Sequence, residues 1–328
     1  MIIDTHAHFT PQSMLDALKK ETSRFPSVEL LAEDDSYKLG FAGGALTRPL
    51  SPKLRDSDGR LEWMEHQCID AQINGGWLDS FGYELPAEEG AAWSRFMNEF
   101  LMTGTDEHEP LVPLATVPLQ NGKLAAEVLE EALAAGFGGV MIGTQPHGDS
   151  GNLDDPDLDP FWEAASALKA TLYLHPMFGC GDPRLLDFGM MNATGRGVDT
   201  TIAISRLLFS GHFLKYPGMN FVLSHGGGAL PYMLGRLARN VEIAGHDYAD
   251  PIEGFKTLFF DTVLFDPRAL NFLRDIVGAE KIMLGSDYPF PIGDMTPLKV
   301  VESADLSEAE TELILGKTAM ELFNISVV

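Results

Sequence analysis

The sequence predicts an α/β protein built as a (β/α)8 TIM barrel, and three observations carry that reading. Eight apolar runs of strand length recur along the 328 residues. Helix-like stretches separate most of them, the alternation expected of a parallel sheet. Histidines and an aspartate stand at the C-terminal ends of several different runs, and a closed barrel brings those ends to one mouth. A doubly wound sheet is the competing architecture, and it gives no reason for the last pattern.

The strand runs span residues 2–9, 71–78, 111–119, 139–144, 171–175, 220–225, 258–264 and 281–287. Their near-continuous apolar character fits strands buried on both faces. Helices are predicted over 87–106, 123–135, 160–169, 200–216, 229–244 and 267–277, with a closing helix over 307–323. Two connections are long, residues 10–61 after the first strand and 177–199 after the fifth. Both leave C-terminal strand ends, where barrel active sites lie, so they read as active-site loop insertions in a single domain over 1–328.

Composition narrows the function. A formal net charge of -25 argues against nucleic acid and against anionic membrane surfaces, which need basic patches. A carboxylate substrate stays compatible, because a few arginines in a cleft suffice to bind it. No apolar run reaches the roughly 18 to 20 residues of a membrane span. The start, MIIDTHAHF, lacks a basic segment and a long apolar stretch, so no signal peptide is expected there. The two cysteines, Cys68 and Cys180, form no disulfide framework and predict free thiols in a reducing cytoplasm.

The chemistry sits at strand ends. His6 and His8 are two apart in a strand, so both imidazoles face the same way. His175 ends the fifth run, His225 the sixth and Asp287 the eighth. The three glycines after His225 permit a tight turn and leave space beside the imidazole. A carboxylate at the end of an apolar run is costly to bury unpaired, and a cation is its natural partner. Each signal alone also fits a hydrogen-bonded structural residue. Together they predict one divalent metal ion at the mouth, zinc by preference, with manganese, iron or cobalt as alternatives. The remaining histidines, His66, His108, His147, His212 and His246, fall in predicted helices or loops and read as structural or surface residues.

The order His-x-His, His, His, Asp resembles the amidohydrolase superfamily. The segments DTHAHF, SHGGGALPYMLGRLAR and LGSDYPFP resemble its amidohydrolase-2 branch, particularly the aminocarboxymuconate-semialdehyde decarboxylase family, and the likeness extends over nearly the whole chain. The resemblance implies that His6, His8, His175 and Asp287 are metal ligands. It implies that His225 is the acid/base residue beside a metal-bound water, with Asp287 also able to accept a hydrogen bond from that water. Many relatives carry a lysine at the end of strand four that bridges two metals. Here that strand reads GGVMIGT, so a mononuclear site is expected.

In that family arginines hold the substrate carboxylates, one of them reaching in from a neighbouring subunit. Arg236 matches the pattern within MLGRLAR, Arg48 only through a short Arg-Pro pair, and a homodimer is expected on this ground. Solvated surface charge is the alternative for both. After His175 the chain departs from the family's Trp-rich segment and reads MFGCGDPRLLDFGMMNATGRG, which puts the substrate in doubt. Phe178 is a candidate substrate contact there, with Arg184 and Arg196 beside it. The resulting expectation is a metal-dependent non-oxidative decarboxylase of an unsaturated or aromatic carboxylic acid. A hydrolase or hydratase of a related lactone or unsaturated dicarboxylate is the second reading, and a non-catalytic metal-binding scaffold the third.

Overall fold

A computed structural model describes residues 1–325 apart from Thr22, Glu107, Glu109, Phe178, Gly179 and His246. The readings of Phe178 and His246 therefore lie outside the described residues. Strand β1 (Ile3–Phe9) pairs in parallel with β4 (Ala71–Gly76), and β4 with β5 (Leu111–Pro113). Strands β6 (Val140–Gly143), β7 (Thr171–His175), β8 (Asn220–Leu223), β9 (Leu258–Asp261) and β10 (Ile282–Met283) form a second parallel set in chain order. Two bridges join the sets. Ala115 pairs with Val140 on one side, and Ala7 pairs with Tyr288 on the other. The backbone bonds Met141 N–H to Ala115 O and His8 N–H to Tyr288 O, both 2.8 Å, complete the ring of eight.

All seven residues of β1 are buried, as are all of β4, β6 and β7, which is why none of them alternates between apolar and solvated positions. Long helices cover the outside. Ala87–Asp106, Gly122–Ala134, Arg196–Phe209, Leu230–Ala244 and Pro267–Val277 are the main ones. Their starts have local causes. The Asn121 side chain caps Leu124 N–H, and Asp266 caps Arg268 N–H ahead of Pro267. Among the described residues no helix is long and apolar enough to cross a membrane.

The segment expected as one long loop after β1 has its own structure. It holds the helix Gln12–Lys20, an antiparallel hairpin of β2 (Val28–Glu33) and β3 (Ser36–Phe41), and the crossover helix Ser57–His66. Tyr37, Leu39 and Phe41 turn inward, and of their β2 partners Val28 and Leu30 are half-buried and Ala32 is exposed. After β7, the first turn of the helix begins at Arg196 rather than at residue 200, preceded by short helical turns at Pro183–Leu185 and Met191–Gly195. Cys68 and Cys180 are unpaired.

Candidate metal centre and active-site cleft

Five ionisable side chains meet at the barrel mouth, from β1, from β7 and from the segments that follow β8 and β10. Asp287 stands at the centre. Its Oδ1 lies 3.1 Å from His8 Nε2, 3.4 Å from His6 Nε2 and 3.9 Å from His175 Nε2, while Oδ2 lies 3.5 Å from His225 Nε2. Imidazole centroids of neighbouring rings are 4.8–5.3 Å apart. Two of the five residues occupy the left-handed region, His225 at φ 54° and Asp287 at φ 60°. Such strain in non-glycine residues persists where surrounding contacts hold it, and it collects at functional sites.

The rings differ in how they are held. His6 Nδ1 meets Asp261 Oδ2 at 2.6 Å, His8 Nδ1 meets Gly76 O at 3.1 Å, and His175 Nδ1 meets Pro176 O at 2.8 Å. Each anchor fixes a proton on Nδ1 and turns the Nε2 lone pair inward, the outer-shell arrangement of metal-ligating histidines. His225 has no such anchor, and its Nδ1 is buried without a partner.

Electrostatics agree with a cation at this point. Burial alone would raise the Asp287 carboxyl, yet His6, His175, His225 and His8 together hold it well below the usual carboxylate range. Burial drives His175 well below its ordinary value and lowers His8, so both are neutral ligand-type imidazoles. His6 Nε2 and His175 Nε2 are buried with no hydrogen-bond partner. One ligand atom each from His6, His175, His225 and Asp287 lie within 4.8 Å of one another, and this residue set fits a divalent ion. That foursome contains His225 where the sequence predicts His8. The ring anchors favour His8, because an anchored ring has its lone pair committed inward. At the end of β6, Thr144 donates to Asp199, so no lysine is there to bridge a second metal.

Behind these five side chains lies a polar layer that the sequence reading missed. Asp261, ending β9, is fully buried and fully satisfied. It accepts from His6, from Tyr173 Oη at 3.1 Å, and from Gly226 N–H at 2.8 Å and Val263 N–H at 3.1 Å. The signal was visible as an acid ending the apolar run LFFD. Asp4 points into the same interior and accepts from His6 N–H, Gln72 Nε2, Ser286 N–H and Ser286 Oγ. Burial pushes the Asp4 carboxyl up to about 6 against these donors.

The mouth opens into a cleft of about 1110 Å³ floored by His175, His225 and Asp287. Arg48, Trp77 and Asp79 wall one side, residues 192–198 another, and residues 263–265 and 290–293 close the rim. Arg48 lies in the cleft wall but grips both oxygens of Asp79, at 3.0 and 3.2 Å, with its own side chain 52% exposed. Arg236 is exposed on the helix after β8 and does not line the cleft of its own chain. Arg184 is tied to Asp182 in solvent. Arg196, which the sequence did not single out from its neighbours, does line the cleft.

A parallel barrel with a histidine and aspartate cluster at its C-terminal mouth defines the class of metal-site barrel enzymes. The chain belongs to the amidohydrolase family, whose model matches residues 3–325. It is 28% identical over 331 residues to the 2-amino-3-carboxymuconate-6-semialdehyde decarboxylase of Dictyostelium discoideum, covering 98% of this chain and 91% of that one. It is 30% identical over 304 residues to a gamma-resorcylate decarboxylase of Polaromonas, covering 84% and 91%. The 5-carboxyvanillate decarboxylase of Novosphingobium aromaticivorans, complexed with manganese and 4-hydroxy-3-methoxy-5-nitrobenzoic acid, shares the fold with a TM-score of 0.80. That match covers 99% of this chain and 96% of that one at 20% identity.

Proposed function

We propose that this chain is a non-oxidative decarboxylase of an aromatic or unsaturated carboxylic acid, working with one divalent ion. The observation that carries the division of roles is the ring anchoring. His6, His8 and His175 have fixed inward lone pairs and, with Asp287, are the ligand set, whereas His225 is unanchored beside them. The donor set suits zinc, and manganese is the ion in one relative of the same fold. When bound, the ion supplies Lewis acidity that polarises an oxygen of substrate or water.

The chain's own residues do the rest. The cleft holds the acid with its carboxyl-bearing carbon toward His225. A protonated His225 Nε2 delivers its proton to that carbon, the carbon–carboxyl bond breaks, and carbon dioxide leaves, so the net change is replacement of carboxyl by hydrogen. Asp287 Oδ2, 3.5 Å from Nε2, helps orient the ring toward the reacting carbon. Trp77, Phe290 and Ile292 in the cleft wall limit water around the reacting carbon. Arg236 serves this cleft only from a second copy of the chain, and we propose a homodimer on that ground. The curated relatives quoted above, both decarboxylases, support the reaction class.

The test is carbon dioxide release from a panel of hydroxybenzoates and unsaturated dicarboxylates, by wild type and by His225→Asn. Wild type should release stoichiometric carbon dioxide from at least one acid. His225→Asn should retain its metal and lose roughly 10²- to 10⁴-fold in turnover, the usual contribution of an acid/base residue. Loss of metal together with activity would make His225 a ligand. Hydration or ring-opening without carbon dioxide would replace the reaction.

A further inference from the structure

We propose that Arg196 is the residue that recognises the carboxylate of the substrate. This rests on the decarboxylase reading and gives it an anion subsite within a single chain.

The argument begins with charge. In a chain of net charge -25, arginines find carboxylates readily. Nine of the twelve lie within 4 Å of one: Arg24, Arg48, Arg55, Arg95, Arg184, Arg206, Arg239, Arg268 and Arg274. Of the other three, Arg60 is sealed inside the barrel wall and Arg236 faces solvent. Arg196 alone of these three lines the cleft, on the same surface as His175, His225 and Asp287.

Its bonds are all to neutral acceptors. Nε donates to Asn192 Oδ1 at 2.9 Å, and Nη1 donates to Pro176 O at 2.9 Å and to Met177 O. Pro176 O is also the anchor of His175 Nδ1, so the guanidinium stands one carbonyl behind a metal ligand. Among the described residues Nη2 has no hydrogen-bond partner. A half-buried guanidinium held by three neutral oxygens stays charged, and its Nη2 is left to donate to a carboxylate oxygen. Arg48 is the weaker candidate, because Asp79 holds its Nε and Nη2 and offsets its charge. Trp77 adds a second unused donor to the wall, since its Nε1 is buried without an acceptor.

The experiment measures binding, not turnover. Metal-loaded wild type, Arg196→Gln and Arg196→Lys are titrated with benzoate and with its neutral isostere benzamide, and metal content is assayed in each. Wild type should prefer benzoate by at least tenfold. Arg196→Gln should weaken benzoate roughly 10- to 100-fold, leave benzamide within about twofold and keep its metal. Arg196→Lys should recover part of the loss. Equal affinities for the two probes in wild type, or unchanged benzoate binding in Arg196→Gln, would overturn the assignment. So would loss of metal in Arg196→Gln, which would make the residue a prop for His175. Absence of carbon dioxide release from every acid would sink the decarboxylase reading while leaving this titration to stand or fall by itself.

Discussion

Arg60 is a fully buried cation with no carboxylate in contact. Its Nη1 donates to Gln72 Oε1 at 2.6 Å and Asn74 Oδ1 at 2.7 Å, and Nη2 donates to His8 O at 2.6 Å. Its guanidinium also lies over the rings of Phe9 and Tyr288, with centroids 5.3 and 4.7 Å away. Burial draws it down to about 10, so it is charged at neutral pH. Gln72 passes the contact on to Asp4, and Asp4 holds both His6 N–H and Ser286, the residue before Asp287. Arg60 therefore braces His6, His8 and Asp287 from behind. Arg60→Met should cost roughly 3–5 kcal/mol, since it strands three carbonyl acceptors and leaves Asp4 without a compensating cation. It should also weaken metal binding about 10- to 100-fold, as outer-shell changes do. Urea titration and metal affinity measured on the same samples check both, and a stable variant with normal affinity would refute the bracing role. At this scale the sequence displayed much of the site, because strand ends mark His6, His8, His175, His225 and Asp287. It did not assign Arg60 or Asp261, whose roles depend on partners up to 255 residues away, and it did not separate Arg196 from Arg184, because a loop path has no sequence period.

The glycine turn after β8 works at the scale of elements. Gly226, Gly227 and Gly228 all have left-handed φ, and a Cβ on Gly228 would sit 2.3 Å from Gly197 O. This contact sets the first turn of the helix that begins at Arg196 against the mouth of β8. Gly228→Ala should therefore cost at least about 2 kcal/mol, from backbone strain plus a clash that only a backbone shift relieves. Gly235, in the interior of the helix Leu230–Ala244, has nothing within 4 Å of its Cβ position. Gly235→Ala should raise stability by about 0.5–1 kcal/mol. Thermal or urea unfolding of the pair tests whether backbone contact sets the sign, and equal shifts would refute it. The same scale shows why element prediction succeeded where it did. Buried parallel strands announce themselves by composition, and the helices 87–106 and 267–277 end where they were placed. The hairpin β2–β3 escaped because Glu29 and Glu33 interrupt β2 and Ser36 and Lys38 interrupt β3, so neither strand presents a continuous apolar run.

For the whole molecule, the ion and the fold are linked. His6 and His8 are fully buried, and His175 and Asp287 are 4% exposed, so the barrel mouth concentrates polar groups that only a cation satisfies together. Binding to the folded chain alone stabilises it by RT ln(1 + [L]/Kd), about 4 kcal/mol at a thousandfold excess over Kd. Chelation should lower the unfolding temperature and abolish turnover, and one equivalent of zinc or manganese should restore both. The effect has a definite pH sense. In the metal-free chain burial pulls His6 down, but Asp287 and Asp261 outweigh it and raise His6 above its ordinary value. A proton therefore competes with the ion for the His6 Nε2 lone pair. Metal affinity should fall as pH drops through that raised value, and metal addition near neutrality should release protons into a weak buffer. Calorimetry in buffers of different ionisation enthalpy counts those protons. A stripped chain that keeps its full activity and its unfolding temperature would show that the five side chains meet for some purpose other than holding a metal.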